Sequence, residues 1–108
     1  MEDNEEVENE EIQTSEDTEF QELLQEIKNE QHISPFEEDS VIIGYIKEAQ
    51  YDINQCGPGI DYDKDLKARS LLKNYVFYAR EKKLAEFKQL YAGEYAVLQA
   101  EYYKPSDI

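Results

Sequence analysis

Apolar positions recur at three- and four-residue spacings along most of the chain beyond residue 18, and no stretch alternates in the two-residue rhythm of a strand. Phe20, Leu23, Leu24 and Ile27 share one helical stripe. Thr18 followed three residues later by Gln21 gives a capping-box start, which predicts a first helix over about 18–31. Ser34-Pro35-Phe36-Glu37 then reads as the clearest helix opening in the chain, with Ser34 as N-cap, Pro35 at the first position and Glu37 completing a capping box. From there Ile42, Ile46, Ala49 and Ile53 recur by fours and threes, predicting a second helix to about Gln55. Cys56-Gly57-Pro58-Gly59 should end it, glycine taking the left-handed C-terminal conformation and proline refusing the ladder.

After a loop over 60–63, Asp63 or Asp65 is placed to cap a third helix, with Ala68, Leu71, Leu72, Tyr75, Val76 and Ala79 on its inner side. A fourth stripe runs through Leu84, Phe87, Tyr91, Leu98 and Tyr102 until Pro105 stops it. Arg80-Glu81-Lys82-Lys83 holds no glycine or proline to separate these last two helices. A turn is expected there nonetheless, because one helix of roughly 40 residues would be about 60 Å long and a domain this small could not cover it. The expected architecture is all-α: a small bundle of about four helices over 18–104, preceded by an acidic tail over 1–17. The candidate core is Ile42, Ile46, Ala49, Ile53, Leu72, Tyr75, Leu84, Phe87, Tyr91 and Leu98.

Charge sharpens the boundary. Residues 1–26 hold twelve acids and no Lys or Arg, so the formal charge of -15 divides into -12 there and -3 over the rest. Only Met1, Val7 and Ile12 are apolar before residue 20, too few to offset the roughly 1–2 kcal/mol per residue that backbone ordering costs. The tail is therefore expected to be disordered. A body of this size draws only about 3–5 kcal/mol from its own core, which makes association with other subunits a reasonable expectation. Eight aromatic residues between Asp65 and Tyr103 point the same way, because they spread over more than one helical face. No apolar run approaches the roughly 20 residues of a membrane span and the acidic start lacks a signal peptide's basic region, so a soluble, cytoplasmically made protein is expected. The lone cysteine gives no disulfide framework.

Candidate chemistry is sparse. His32 beside Ile33 reads as a turn residue, and Cys56 has no basic neighbour before Lys64 to favour a thiolate. Asp61-Tyr62-Asp63-Lys64-Asp65 has the alternating carboxylates that open an EF-hand loop. Its sixth position is Leu66 instead of glycine and its twelfth is Leu72 instead of glutamate, so helix capping is the better reading. No catalytic, cofactor-binding or metal-binding set is expected. Between Lys64 and Lys88 eight bases face three acids, a local +5. That stretch reads as a solvated helix face or as a surface complementary to an acidic neighbour, such as another copy; nucleic-acid binding is the weaker reading, because the whole molecule repels phosphate.

The succession DSVIIGYIKEAQYDI, a Gly-Pro-Gly turn, LKARSLLKNYVFYAR and LAEFKQLYAGEYAVLQAEY resembles the head-tail connector proteins of long-tailed bacteriophages. Asp39, Ile42, Tyr45, Ile46 and Ala49 match the family's first helical pattern. Leu71, Leu72, Tyr75, Tyr78, Ala79, Leu84, Phe87 and Tyr91 match its second. The resemblance covers roughly residues 20–103, and the acidic extension departs from it. It implies a helical adaptor subunit that forms a twelvefold homo-oligomeric ring beneath the portal protein at the virion's head-tail junction. A tail-side stopper or terminator protein would be the other partner, and double-stranded DNA would pass through the lumen without sequence-specific binding. Arg80, Lys83, Tyr95 and Tyr103 are the candidate interface residues, the first two at the expected turn and the tyrosines off the Leu84-Phe87-Tyr91-Leu98 stripe. A reading from another class makes the chain an acidic regulator or DNA mimic whose tail binds a basic protein surface.

Overall fold

The structure, a computed structural model, describes residues 21–103, and all regular structure among them is helical. The expected tail over 1–17, the first residues of the expected first helix and the end beyond Tyr103 lie outside the described residues. Chain contacts group the protein into two units, Met1–Asp39 and Ser40–Ile108.

In the first unit, α1 covers 21–30 and buries Leu23, Leu24 and Ile27. It ends without glycine. His32 adopts φ 53°, its N–H donates to Asn29 O at 3.4 Å, and the N–H of buried Ile33 donates to Lys28 O at 3.0 Å. This is the crossed pair of bonds that satisfies a helix's last carbonyls, with an apolar residue closing it. Ser34-Pro35-Phe36-Glu37 does not open a helix. The N–H of Phe36 donates to Ser34 Oγ and that of Glu37 to Ser34 O, both at 3.1 Å, so the serine closes an isolated turn. Phe36 is almost wholly exposed and anchors nothing. The next helix begins only at Asp39, whose carboxylate pairs with Lys28 at 2.9 Å.

α2, Asp39–Ile53, buries Ile42, Ile46, Ala49 and Ile53. It tightens into a 3-10 turn, Asn54–Cys56, so Gln55 lies past the α-helical end. Gly57 is extended (φ 163°) instead of left-handed, and the need for glycine there is steric: a Cβ would stand 2.5 Å from Tyr102 Cβ. The left-handed residue of the turn is Gly59, at φ 81°. α3, Leu66–Arg80, buries Ala68, Leu71, Leu72, Tyr75, Val76 and Ala79. Asp65 is its N-cap, accepting from Ala68 N at 3.1 Å.

The break after α3 repeats the device that ends α1. Lys82 takes φ 62°, its N–H donates to Ala79 O at 3.0 Å, and Lys83 N–H donates to Tyr78 O at 2.8 Å. The stripe expected to form one last helix is two, α4 over Leu84–Leu90 and α5 over Ala92–Tyr102. Tyr91 leaves helical geometry between them (φ -107°, ψ 16°), although Tyr91 N still donates to Phe87 O and Tyr95 N to Tyr91 O. α3 packs on α4, α4 on α5, and α5 on the 3-10 turn.

Candidate interaction surface

The α4–α5 bend is what gathers the aromatics. Phe87 sits at the centre, wholly buried, stacked on Tyr91 with centroids 4.8 Å apart and edge-on to Tyr75 at 5.4 Å and Tyr95 at 6.1 Å. Tyr78 joins Phe87 at 5.6 Å and Tyr91 at 5.9 Å, and Phe77 extends the network at 5.5 Å. Six of the eight aromatics touch one another within one unit, yet only Tyr75 and Phe87 are buried; Tyr78, Tyr91 and Tyr95 are half-buried and Phe77 is exposed, in keeping with more aromatics than a single core can bury. Tyr91 and Leu84 are half-buried instead of buried, since Tyr91 lies at the bend and Leu84 opens the short α4.

Two polar anchors fix α5. Asp52 of α2 accepts from Lys88 Nζ at 2.7 Å and from Tyr95 OH at 2.5 Å, tying α2, α4 and α5 at one carboxylate. Asp65 accepts from Tyr102 OH while also capping α3. Its carboxyl is thereby held below the usual range, chiefly by the Tyr102 bond, and Tyr102 is raised to about 12 by the same contact. The Asp61 carboxylate accepts from Asp63 N at 2.9 Å, and Arg69 Nη1 donates to Tyr62 O at 3.1 Å. The Asp61–Asp65 loop is therefore built as a turn and a helix cap. Cys56 is buried and points its thiol at Tyr95 O, 3.7 Å away; burial and then the Asp52 charge push its pKa up, away from the thiolate.

The four candidate interface residues do not form one patch. Tyr95 lies half inside the unit with its hydroxyl on Asp52. Tyr103 is 69% exposed beside the start of α3, where Tyr102 meets Asp65. Arg80, half-buried, and Lys83, exposed, stand at the other end of α3, roughly 20 Å away at 1.5 Å per residue. Of the local +5, Lys67 pairs with Glu101 at 2.5 Å, Arg69 with Asp63 at 3.6 Å and Lys88 with Asp52, so much of it is neutralised within the unit.

What the structure brings together instead is a largely apolar groove between α3 and α5, about 400 Å³, lined by Leu66, Leu71, Tyr91, Val97 and Leu98 together with Ser70 and Asn74, and with Lys67 and Glu94 toward its two ends. Leu66 is 71% and Val97 45% exposed. Beside it the outer face of α5, Ala92, Gly93, Ala96, Val97 and Ala100, reaches solvent without a single charge. That signal was present in the sequence: in a chain 34% charged, a helix face free of charge on the side away from Leu98 and Tyr102 is itself a pattern. Among the described residues no helix is long and apolar enough to cross a membrane, and no cluster of metal-binding side chains occurs. Comparison of the chain with protein-family models, curated proteins and solved structures found no match.

Proposed function

We propose that this protein is a structural virion component, a head-tail connector that forms a ring, twelvefold in the virion, between the portal protein and a tail-side stopper or terminator protein. The observation that carries the reading is the uncharged outer face of α5, beside a largely apolar α3–α5 groove, on an otherwise acidic helical chain. Exposed apolar area of that kind favours burial against protein, and a molecule at -15 makes an anionic partner such as nucleic acid a poor candidate for it. The sequence resemblance supplies the geometry of assembly, and the acidity suits a conduit: negative walls release no counterions to duplex DNA and so let it slide. On this reading the protein has no catalytic role and no cofactor, is made in the host cytoplasm and ends at the head-tail junction. Incubating the full chain with its portal and imaging by negative stain tests this. Closed rings seated on the portal are expected, and a chain that never assembles there belongs instead to the acidic-regulator class.

A further inference from the structure

The outer face of α2 carries its own unexplained feature. Val41, Gly44, Glu48 and Tyr51 follow one another at spacings of three and four, so they form one stripe opposite the buried Ile42, Ile46, Ala49 and Ile53. Tyr51 is 75% exposed and Val41 also faces out. Gly44 sits in mid-helix, where glycine costs about 0.5–1 kcal/mol relative to alanine, yet a Cβ there would meet nothing within 4 Å. Nothing inside the subunit requires this glycine. A mid-helix glycine on an outward stripe, here half-buried, suits a close approach by another backbone, and Gly93 on the bare face of α5 also has nothing near its Cβ position.

We infer that the α3–α5 groove of one copy receives the outer face of α2 from a second copy, with Tyr51 entering the groove, Glu48 meeting Lys67 at its rim, and Gly44 at the closest approach of the two chains. This rests on the ring reading for its geometry, because a ring needs two different patches per subunit, and these are two different helical surfaces of one unit. The chemistry of the two faces matches. The groove is largely apolar, with Ser70 and Asn74 along α3, Glu94 toward one end and at the other a lysine whose side chain is 65% exposed even while paired to Glu101; the stripe offers an exposed tyrosine with a carboxylate one turn before it, placed for the lysine end. Tyrosine suits the role, since its ring fills an apolar slot while its hydroxyl stays solvated at the rim.

The test uses the full chain, alone at high concentration and with its portal, with self-association read by sedimentation velocity and folding by circular dichroism. Glu48→Lys and Lys67→Glu should each weaken association about tenfold while leaving the protein folded, and the double variant should restore it. Gly44→Leu should raise the melting temperature of the monomer and weaken association, a pair of opposite effects that a merely structural glycine would not give. Tyr51→Cys mixed with Val97→Cys should cross-link between copies. If rings form but the charge swap fails to rescue and these cysteines do not cross-link, this contact is wrong and the ring reading stands. If the chain never self-associates, with or without portal, both fall. If the groove variants abolish only portal binding, the groove's occupant is the portal and the inference is overturned.

Discussion

Asp65 shows how much one side chain can hold in a small protein. Its two oxygens cap α3 and receive Tyr102 OH, so Asp65→Ala removes the cap and leaves the Tyr102 hydroxyl without its partner. A loss of about 1–2 kcal/mol is expected, read as a lowered denaturation midpoint. The pH dependence has opposite signs at the two partners. A carboxylate depressed in the folded state stabilises it above the unfolded pKa, about 3.9, and that contribution is lost as pH falls through the lower folded value. Tyr102, raised to about 12, contributes fully below the unfolded pKa of about 10, and its contribution disappears as pH climbs from there toward 12. Melting curves of wild type and Asp65→Asn across pH should therefore differ most at neutral pH and converge in acid; parallel curves throughout would separate the Asp65–Tyr102 bond from stability.

At the scale of elements, the buried stripe of α2 makes Ile46→Asp a severe lesion. An unpaired carboxylate at a position with no exposure costs several kcal/mol, comparable with the whole stability of a unit this size, and a retained cooperative melt would contradict the packing. Helix ends carry subtler predictions. Lys82 holds a left-handed conformation that disfavours side chains by roughly 1–2 kcal/mol, so Lys82→Gly should stabilise by up to about 1 kcal/mol. Gly57→Ala should do the reverse, by about 1–3 kcal/mol, through collision with Tyr102. The same ends mark where sequence was legible. The 3.6-residue stripes of α2 and α3 located their buried faces because burial there is one-sided and continuous. Ser34-Pro35 misled because a serine can satisfy the backbone donors of a lone turn as well as those of a helix. The α3–α4 break carries no glycine, so only the length argument could reach it, and the bend at Tyr91 had no sequence mark beyond Gly93 two residues on. The groove depends on Leu66 of α3 and Val97 of α5 lining one cavity, a juxtaposition that spacing along one helix does not encode.

For the whole molecule, the acidic stretch and the helical body are expected to separate by function. Removing Glu2–Asp17 should leave ring assembly intact, whereas an acidic regulator would lose its target with that segment, and pull-down of a basic protein by the intact chain alone distinguishes the two. Assembly itself should weaken when the neutral α5 face is charged: Val97→Glu, at a position already 45% exposed, should fold normally and associate about tenfold more weakly, since the carboxylate must be desolvated to close the interface. The most direct measurement is native mass spectrometry of the full chain bound to its portal. The connector account predicts a discrete closed oligomer, twelve copies on the portal, that needs about tenfold more protein to form with Val97→Glu. A chain that stays monomeric on the portal at every concentration would contradict it.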